Sequence, residues 1–282
     1  MTGYVRPATL AEAVTARAAH PGWIVLAGGT DLMVEAPQRP VPAGIIDLWA
    51  MDELRGITRD GDGLRIGAST SWHEVMVHPM ITVAAPILAA AAREIGALQI
   101  QTRGTIGGNI VTSSPVGDSL PALLALDARL ELISTRGRRT VAYADFAISY
   151  RKTLLAPDEL VAAVHLPSPP AGTFQGWRKV GTRRAQSISK VMAAAVITIE
   201  DGTITRARFG LGAVADRPIR ALGAEAAAVG RPANRATADE VGAAAVATLR
   251  PITDIRSTAD YRLELARRLI TRFVITASGE RG

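Results

Sequence analysis

The chain has 282 residues, 48% of them apolar and 21% charged, a balance that fits one large or two ordinary globular domains with a sizeable core. It contains no cysteine, which excludes disulfides, thiolate zinc sites, iron–sulfur clusters held by this chain, cysteine nucleophiles and a cysteinyl link to a flavin. The formal charge of +6 comes almost wholly from scattered arginines, because the only lysines are Lys152, Lys179 and Lys190, and aromatics make up 4%. No basic run is interleaved with aromatics that could stack on bases, so no nucleic-acid partner is expected, although a basic patch could meet an acidic subunit.

The four histidines, His20, His73, His78 and His165, show no metal-ligand spacing, and no protein-bound metal is expected. The opening MTGYVRPATLAEA lacks the charged start, apolar core and small-residue site of a signal peptide. No apolar run approaches the ~20 residues that span a bilayer. A soluble, cytoplasmic protein without a membrane span is the expectation.

In chain order, Thr9 and Glu12 form a capping-box pattern ahead of a helix carrying Leu10, Val14 and Ala18. An apolar strand, Trp23 to Ala27, runs into Gly28-Gly29-Thr30-Asp31, and a second strand covers Ile45 to Leu48. Leu64 to Gly67 reads as a strand, Pro86 to Ile95 as an alanine-rich helix, and Arg129 to Val141 as a hairpin turning at Arg136-Gly137-Arg138. Pro167-Ser168-Pro169-Pro170 marks a boundary. Beyond it, strands Lys190–Ile199 and Thr203–Leu211 are joined by the hairpin signal Asp201-Gly202. Two helices follow, one predicted to start at Thr237-x-x-Glu240, the other near Ser257-x-x-Asp260 with Leu265, Leu269 and Phe273 along its face. The fold class is α+β, with an N-terminal domain to about Pro170 and a smaller domain over 171–282.

Two glycine-bearing segments carry the chemistry. In Val25-Leu-Ala-Gly-Gly-Thr-Asp-Leu-Met33 a strand, two glycines and a hydroxyl precede a helix-like run, which suits an anion held by backbone N–H groups. Alone this is a weak signal, since it lacks the spacing of a dinucleotide fold or a P-loop, and a bare strand-to-helix turn explains it equally well. The second segment, Thr102 to Pro121, packs glycines, hydroxyl residues, Asn109 and Asp118 between apolar stretches. Folding around a polar ligand would satisfy those groups: hydroxyls and amides suit a pyrophosphate, and the Asp118 carboxylate suits a ribose hydroxyl.

The pair A-G-G-T-D-L and T-I-G-G-N-I-x-x-x-S-P-x-x-D resembles the FAD-binding motifs of the xanthine dehydrogenase and carbon monoxide dehydrogenase flavoprotein family. The resemblance extends to the opening Tyr4-Val-Arg-Pro-Ala-Thr-Leu and to Asp254-Ile-Arg-Ser-Thr-Ala-Asp-Tyr-Arg262 near the end, so it covers essentially the whole chain. It implies a two-subdomain FAD-binding domain of the PCMH type, divided at about 1–55 and 56–170, followed by a CO dehydrogenase flavoprotein C-terminal domain. It also implies an FAD site formed by Leu26, Ala27, Gly28, Gly29, Thr30, Asp31 and Leu32, with Gly28 to Asp31 on the pyrophosphate. Thr105, Ile106, Gly107, Gly108, Asn109, Thr112 and Asp118 would supply the remaining contacts, with Val161 beside the flavin and Lys179 near it. Ile95 departs from the pattern, falling where animal relatives stack an aromatic on the flavin ring.

The implied role is electron transfer. A molybdenum-cofactor large subunit would oxidise the substrate, a 2Fe-2S small subunit would pass electrons to FAD here, and NAD or another acceptor would drain them. No catalytic residue is assigned to this chain. Two other readings stand beside it: a stand-alone FAD-dependent oxidase, for which Glu35 or His73 would have to act as base, and a non-enzymatic nucleotide-binding module.

Overall fold

The computed structural model describes residues 3–38, 40–183 and 186–280. It opens with β1 (Gly3–Val5), α1 (Leu10–Ala19), β2 (Ile24–Leu26), α2 (Leu32–Glu35) and β3 (Gly44–Asp47). The three strands form a parallel sheet with β3 in the middle. Parallel pairing requires crossovers, and α1 supplies the one between β1 and β2. Thr9 caps α1 by accepting the Glu12 amide at 3.2 Å, while Glu12 accepts the Ala8 amide at 2.8 Å. The buried face of α1 is Leu10, Ala13 and Val14, and Ala18, expected on the same face, is only partly buried.

A five-stranded antiparallel sheet follows, built from β4 (Ile57–Asp60), β5 (Gly63–Gly67), β6 (Arg129–Ser134), β7 (Gly137–Ala142) and, at its centre, β10 (Leu160–Leu166). Between β5 and β6 the chain runs through short helices: α3 (Trp72–Val77), α4 (Pro79–Ala84), α5 (Pro86–Glu94), α6 (Leu98–Gln101), α7 (Ile106–Thr112) and α8 (Leu120–Ala125). Proline at the first helical position starts both α4 and α5, where its missing N–H costs no hydrogen bond. After β7 come α9 (Tyr143–Phe146) and the small hairpin β8 (Ala147–Ser149) and β9 (Lys152–Thr153). Strand β10 serves two cores: Val161 and Val164 join the cluster under the helices, while Leu160 and Ala162 join the cluster of the first sheet. This shared strand ties the two N-terminal lobes together.

The last unit is a four-stranded antiparallel sheet of β11 (Phe174–Val180), β12 (Val191–Glu200), β13 (Thr203–Gly212) and β14 (Ile219–Arg220), covered by α10 (Leu222–Ala228), α11 (Arg235–Val246) and α12 (Ala259–Ser278). The β12–β13 turn takes positive φ at both Asp201 and Gly202, as a tight hairpin of this residue pair demands. Strand β12 is buried on both faces. Ala194 and Val196 pack into the N-terminal core, and Ala193, Ala195 and Ile197 into the C-terminal one, which explains its unbroken apolar text.

Two helix starts differ from expectation. Asn234 caps α11 by accepting the Thr237 amide at 3.0 Å, so the helix begins three residues before the predicted position. Thr258, not Ser257, caps α12 by accepting the Tyr261 amide at 3.2 Å. Of the expected face of α12, Phe273 is buried, while Leu265 and Leu269 pack only partly and Ala266 and Ile270 beside them are buried. Among the described residues, no helix is long and apolar enough to cross a membrane.

Candidate functional site

A cleft of about 600 Å³ opens between the first sheet and the helical layer of the second lobe. Its size lies in the range of small-molecule and cofactor sites. Every site residue expected from the sequence lines it except Leu26, Ile106 and Lys179. Ile106 is fully buried in the core, where it anchors α7. Leu26 stands behind the turn, its side chain under Gly29. Lys179 reaches the site only through Asp118.

The first wall is the turn from β2 into α2. Gly28 abuts the second lobe so closely that a Cβ there would lie 1.7 Å from the Arg103 carbonyl oxygen, and Gly29 adopts φ +76°. Only glycine satisfies both positions without strain. The amide N–H groups of Gly28, Gly29, Thr30 and Asp31 donate to no acceptor among the described residues. Four successive backbone donors left open at a cleft wall fit the phosphate oxygens of a dinucleotide cofactor.

The second wall is α7 and the segment after it. Here the amides are engaged by the protein itself: Ile106 N–H donates to the Thr70 carbonyl at 3.0 Å, Gly107 N–H to Ala68 at 2.8 Å, and Gly108 N–H to the Thr105 hydroxyl at 3.1 Å. This wall therefore offers side chains where the sequence suggested amides. The Ser119 hydroxyl donates to Asn109 Oδ1 at 2.7 Å, which orients the amide and leaves its two N–H donors for another partner. Thr105 and Thr112 add hydroxyls on the same wall.

Asp118 closes that wall. Its Oδ2 lies 2.8 Å from Lys179 Nζ, its Oδ1 accepts the Ser189 hydroxyl at 2.9 Å, and its carbonyl accepts the Trp177 indole N–H at 3.2 Å. Burial pushes the Asp118 carboxyl above its ordinary value, against the pull of Lys179 and Ser189, while Glu94 adds to the rise. Two of the partners, Trp177 and Lys179, come from β11 of the C-terminal sheet, and the third, Ser189, lies two residues before β12. Val161 reaches the cleft at a β-bulge in β10, where the register slips between Val161 and Ala163. Bulges of this kind re-aim a side chain beside a site. Ile95, at the end of α5, lines the cleft as an aliphatic where the sequence resemblance anticipated an aromatic.

Sequence reasoning missed Arg151, which also lines the cleft. It sits at φ +53° in the β8–β9 turn and pairs with Asp31 and Glu35 of the first lobe. Burial lowers its affinity for the proton, yet Glu35 and Asp31 hold it above the ordinary arginine value. No local motif announces this residue, because its partners lie 120 and 116 positions away. Arg17 is a second missed member, donating to the Trp23 carbonyl at 2.9 Å beneath the turn. Glu35 and His73, the bases that an independent oxidase would require, do not line the cleft.

Comparison with known proteins agrees with this geometry. The model for the FAD binding domain in molybdopterin dehydrogenase matches residues 1–169, and that for the CO dehydrogenase flavoprotein C-terminal domain matches residues 177–277. The chain is 33% identical to the xanthine dehydrogenase FAD-binding subunit of Escherichia coli O157:H7, over 98% of this chain and 97% of the relative. It is 32% identical to the carbon monoxide dehydrogenase medium chain of Afipia carboxidovorans, over 96% and 94% respectively. Among solved structures, the reconstituted CO dehydrogenase from Oligotropha carboxidovorans superposes with a TM-score of 0.94 at 30% identity, covering 100% of this chain and 99% of that one.

Proposed function

Because the chain belongs to the FAD-binding subunits of the molybdenum hydroxylase family, we propose that it is the electron-transfer subunit of such an assembly and holds FAD along the cleft. In this reading a molybdenum-cofactor large subunit oxidises the substrate, and a 2Fe-2S small subunit and an acceptor such as NAD lie on either side of this chain in the electron path. The flavin, when bound, supplies the reversible redox chemistry, while the protein supplies position and electrostatics.

The open amides of Gly28 to Asp31 receive the pyrophosphate. Asn109, Thr105, Thr112 and Asp118 bind the hydroxyls and phosphate oxygens of the rest of the cofactor, and Val161 and Ile95 pack against its apolar parts. Lys179, held by Asp118, places a positive charge close to the site, where it favours added negative charge. We read residues 1–170 as the cofactor domain and 171–282 as a second domain that braces the cleft wall from behind through Asp118. The observation that carries this reading is the single cleft in which both glycine-bearing segments meet.

Purification of the tagged chain from its native host tests it. The reading expects two further subunits, one with molybdenum and one with iron and sulfide, and FAD reducible by the substrate of the complex. A chain that purifies alone and turns over a substrate through its own flavin would replace it with the oxidase reading.

A further inference from the structure

We propose that Ser189 is a positioning residue of the cofactor site: its hydroxyl, together with Lys179, holds the Asp118 carboxylate in the orientation that receives the cofactor. This rests on the reading of Asp118 as a cofactor contact.

Ser189 is fully buried, two residues before β12, and its hydroxyl donates to Asp118 Oδ1 at 2.9 Å. The next residue is pinned on both sides. The Lys190 amide donates to the Val180 carbonyl at 2.7 Å, and the Lys190 carbonyl accepts Arg262 Nη1 at 2.6 Å. Arg262 is itself buried and is held by Asp254 at 2.8 Å. The hydroxyl is thus delivered from a braced backbone, and its partner is not a backbone group but a carboxylate on the cleft wall.

The geometry leaves Asp118 able to bind something else. A carboxylate has about four lone-pair positions. Lys179 uses one on Oδ2 and Ser189 one on Oδ1, so each oxygen keeps acceptor capacity, and Asp118 lines the cleft. The charged groups around it are Lys179 from β11, which favours the ionised carboxylate, and Glu94 at the end of α5, which opposes it. Burial also opposes it, so the Ser189 donor is one of two neighbours that keep the carboxylate an acceptor.

The test is FAD retention against pH in the protein as isolated with its subunits, comparing the native chain with Ser189→Ala, Ser189→Cys and Ser189→Thr. Loss of a hydrogen bond to a charged group should raise the FAD dissociation constant by roughly tenfold in Ser189→Ala. It should also move the pH below which FAD is lost upward, since the carboxylate then protonates more readily. Ser189→Cys, close in volume and a weaker donor, should fall between, and Ser189→Thr should restore the native profile. A merely structural serine would lower the melting temperature and leave the pH profile unmoved, and that result overturns the proposal. Asp118→Asn separates the two layers. If it retains FAD normally, the reading of Asp118 as a contact fails. If it loses FAD while both Ser189→Ala and Ser189→Cys retain it with the native profile, only the role of Ser189 fails.

Discussion

Arg151 and Asp31, 120 residues apart in sequence, form an ion pair that joins the β8–β9 turn of the second lobe to the glycine turn of the first. Glu35 on α2 takes the other guanidinium nitrogen, so one arginine links both carboxylates across the cleft. Two consequences follow from charge alone. The arginine offsets two negative groups close to where a pyrophosphate would lie, and it holds the two lobes together at that point.

Arg151→Met should therefore release FAD faster. The pair is partly exposed, with 30% of the Arg151 side chain and 48% of that of Asp31 accessible, so the effect belongs at the modest end, about 1 kcal/mol or roughly a fivefold faster off-rate. Raising salt should speed release from the native protein and have little effect on the variant. Stopped-flow dilution of the flavin-loaded protein reads both. Equal salt dependence in the two proteins would contradict the account.

Gly28→Ala should abolish FAD binding and destabilise the fold by at least ~2 kcal/mol. A Cβ placed 1.7 Å from the Arg103 carbonyl oxygen must push the two lobes apart, and a backbone carbonyl cannot rotate away as a flexible side chain would. Gly22→Ala is the control, since nothing lies within 4 Å of a Cβ there. Thermal melts and flavin content of the two variants should diverge.

Asp254 should make the C-terminal domain acid-sensitive. Burial pushes its carboxyl up, but the Arg256 amide and the Arg262 and Arg256 guanidiniums outweigh this and hold it at about 2. The folded value lies below the unfolded one, so the stabilisation is present above the ordinary aspartate range and is lost as pH falls from about 4 toward 2. Asp254→Asn should cost about 1–2 kcal/mol at neutral pH, discounting for solvent, and close to nothing near pH 2. Denaturant titrations at the two pH values check the sign.

Asn234→Ala should cost about 1 kcal/mol, the usual value of an N-cap, because its side chain satisfies the Thr237 amide at the start of α11. Glu240→Ala, which removes the acidic residue of the pattern predicted from sequence, should cost much less, since it leaves this cap intact. Urea melts of the two variants distinguish the cap found in the structure from the one expected.

What the sequence made legible follows from how local each signal is. The strand–glycine turn at 24–31 and the Asp201-Gly202 hairpin each need only neighbours in the chain, and both appear where expected. The two glycine-bearing segments were readable as a pair because their composition is anomalous, and the cleft brings them together. Competing caps were harder. Asn234 and Thr237 both suit a helix start, and the extended backbone of Asn234, which sequence spacing does not encode, decides between them. Least legible were contacts made by the tertiary fold: Arg151 with Asp31, Ser189 with Asp118, and the engagement of the α7 amides by Thr70 and Ala68. Each depends on elements brought together across lobes or loops, and no period or motif marks it.

The most direct test of the central claim is the absorption spectrum of the purified protein, followed by release and identification of the chromophore. The account predicts flavin bands, FAD on release, and loss of both in Gly28→Ala with the spectrum kept in Gly22→Ala. A colourless protein that takes up no added FAD even with its partner subunits present, or a flavin retained unchanged in Gly28→Ala, would contradict the site described for it.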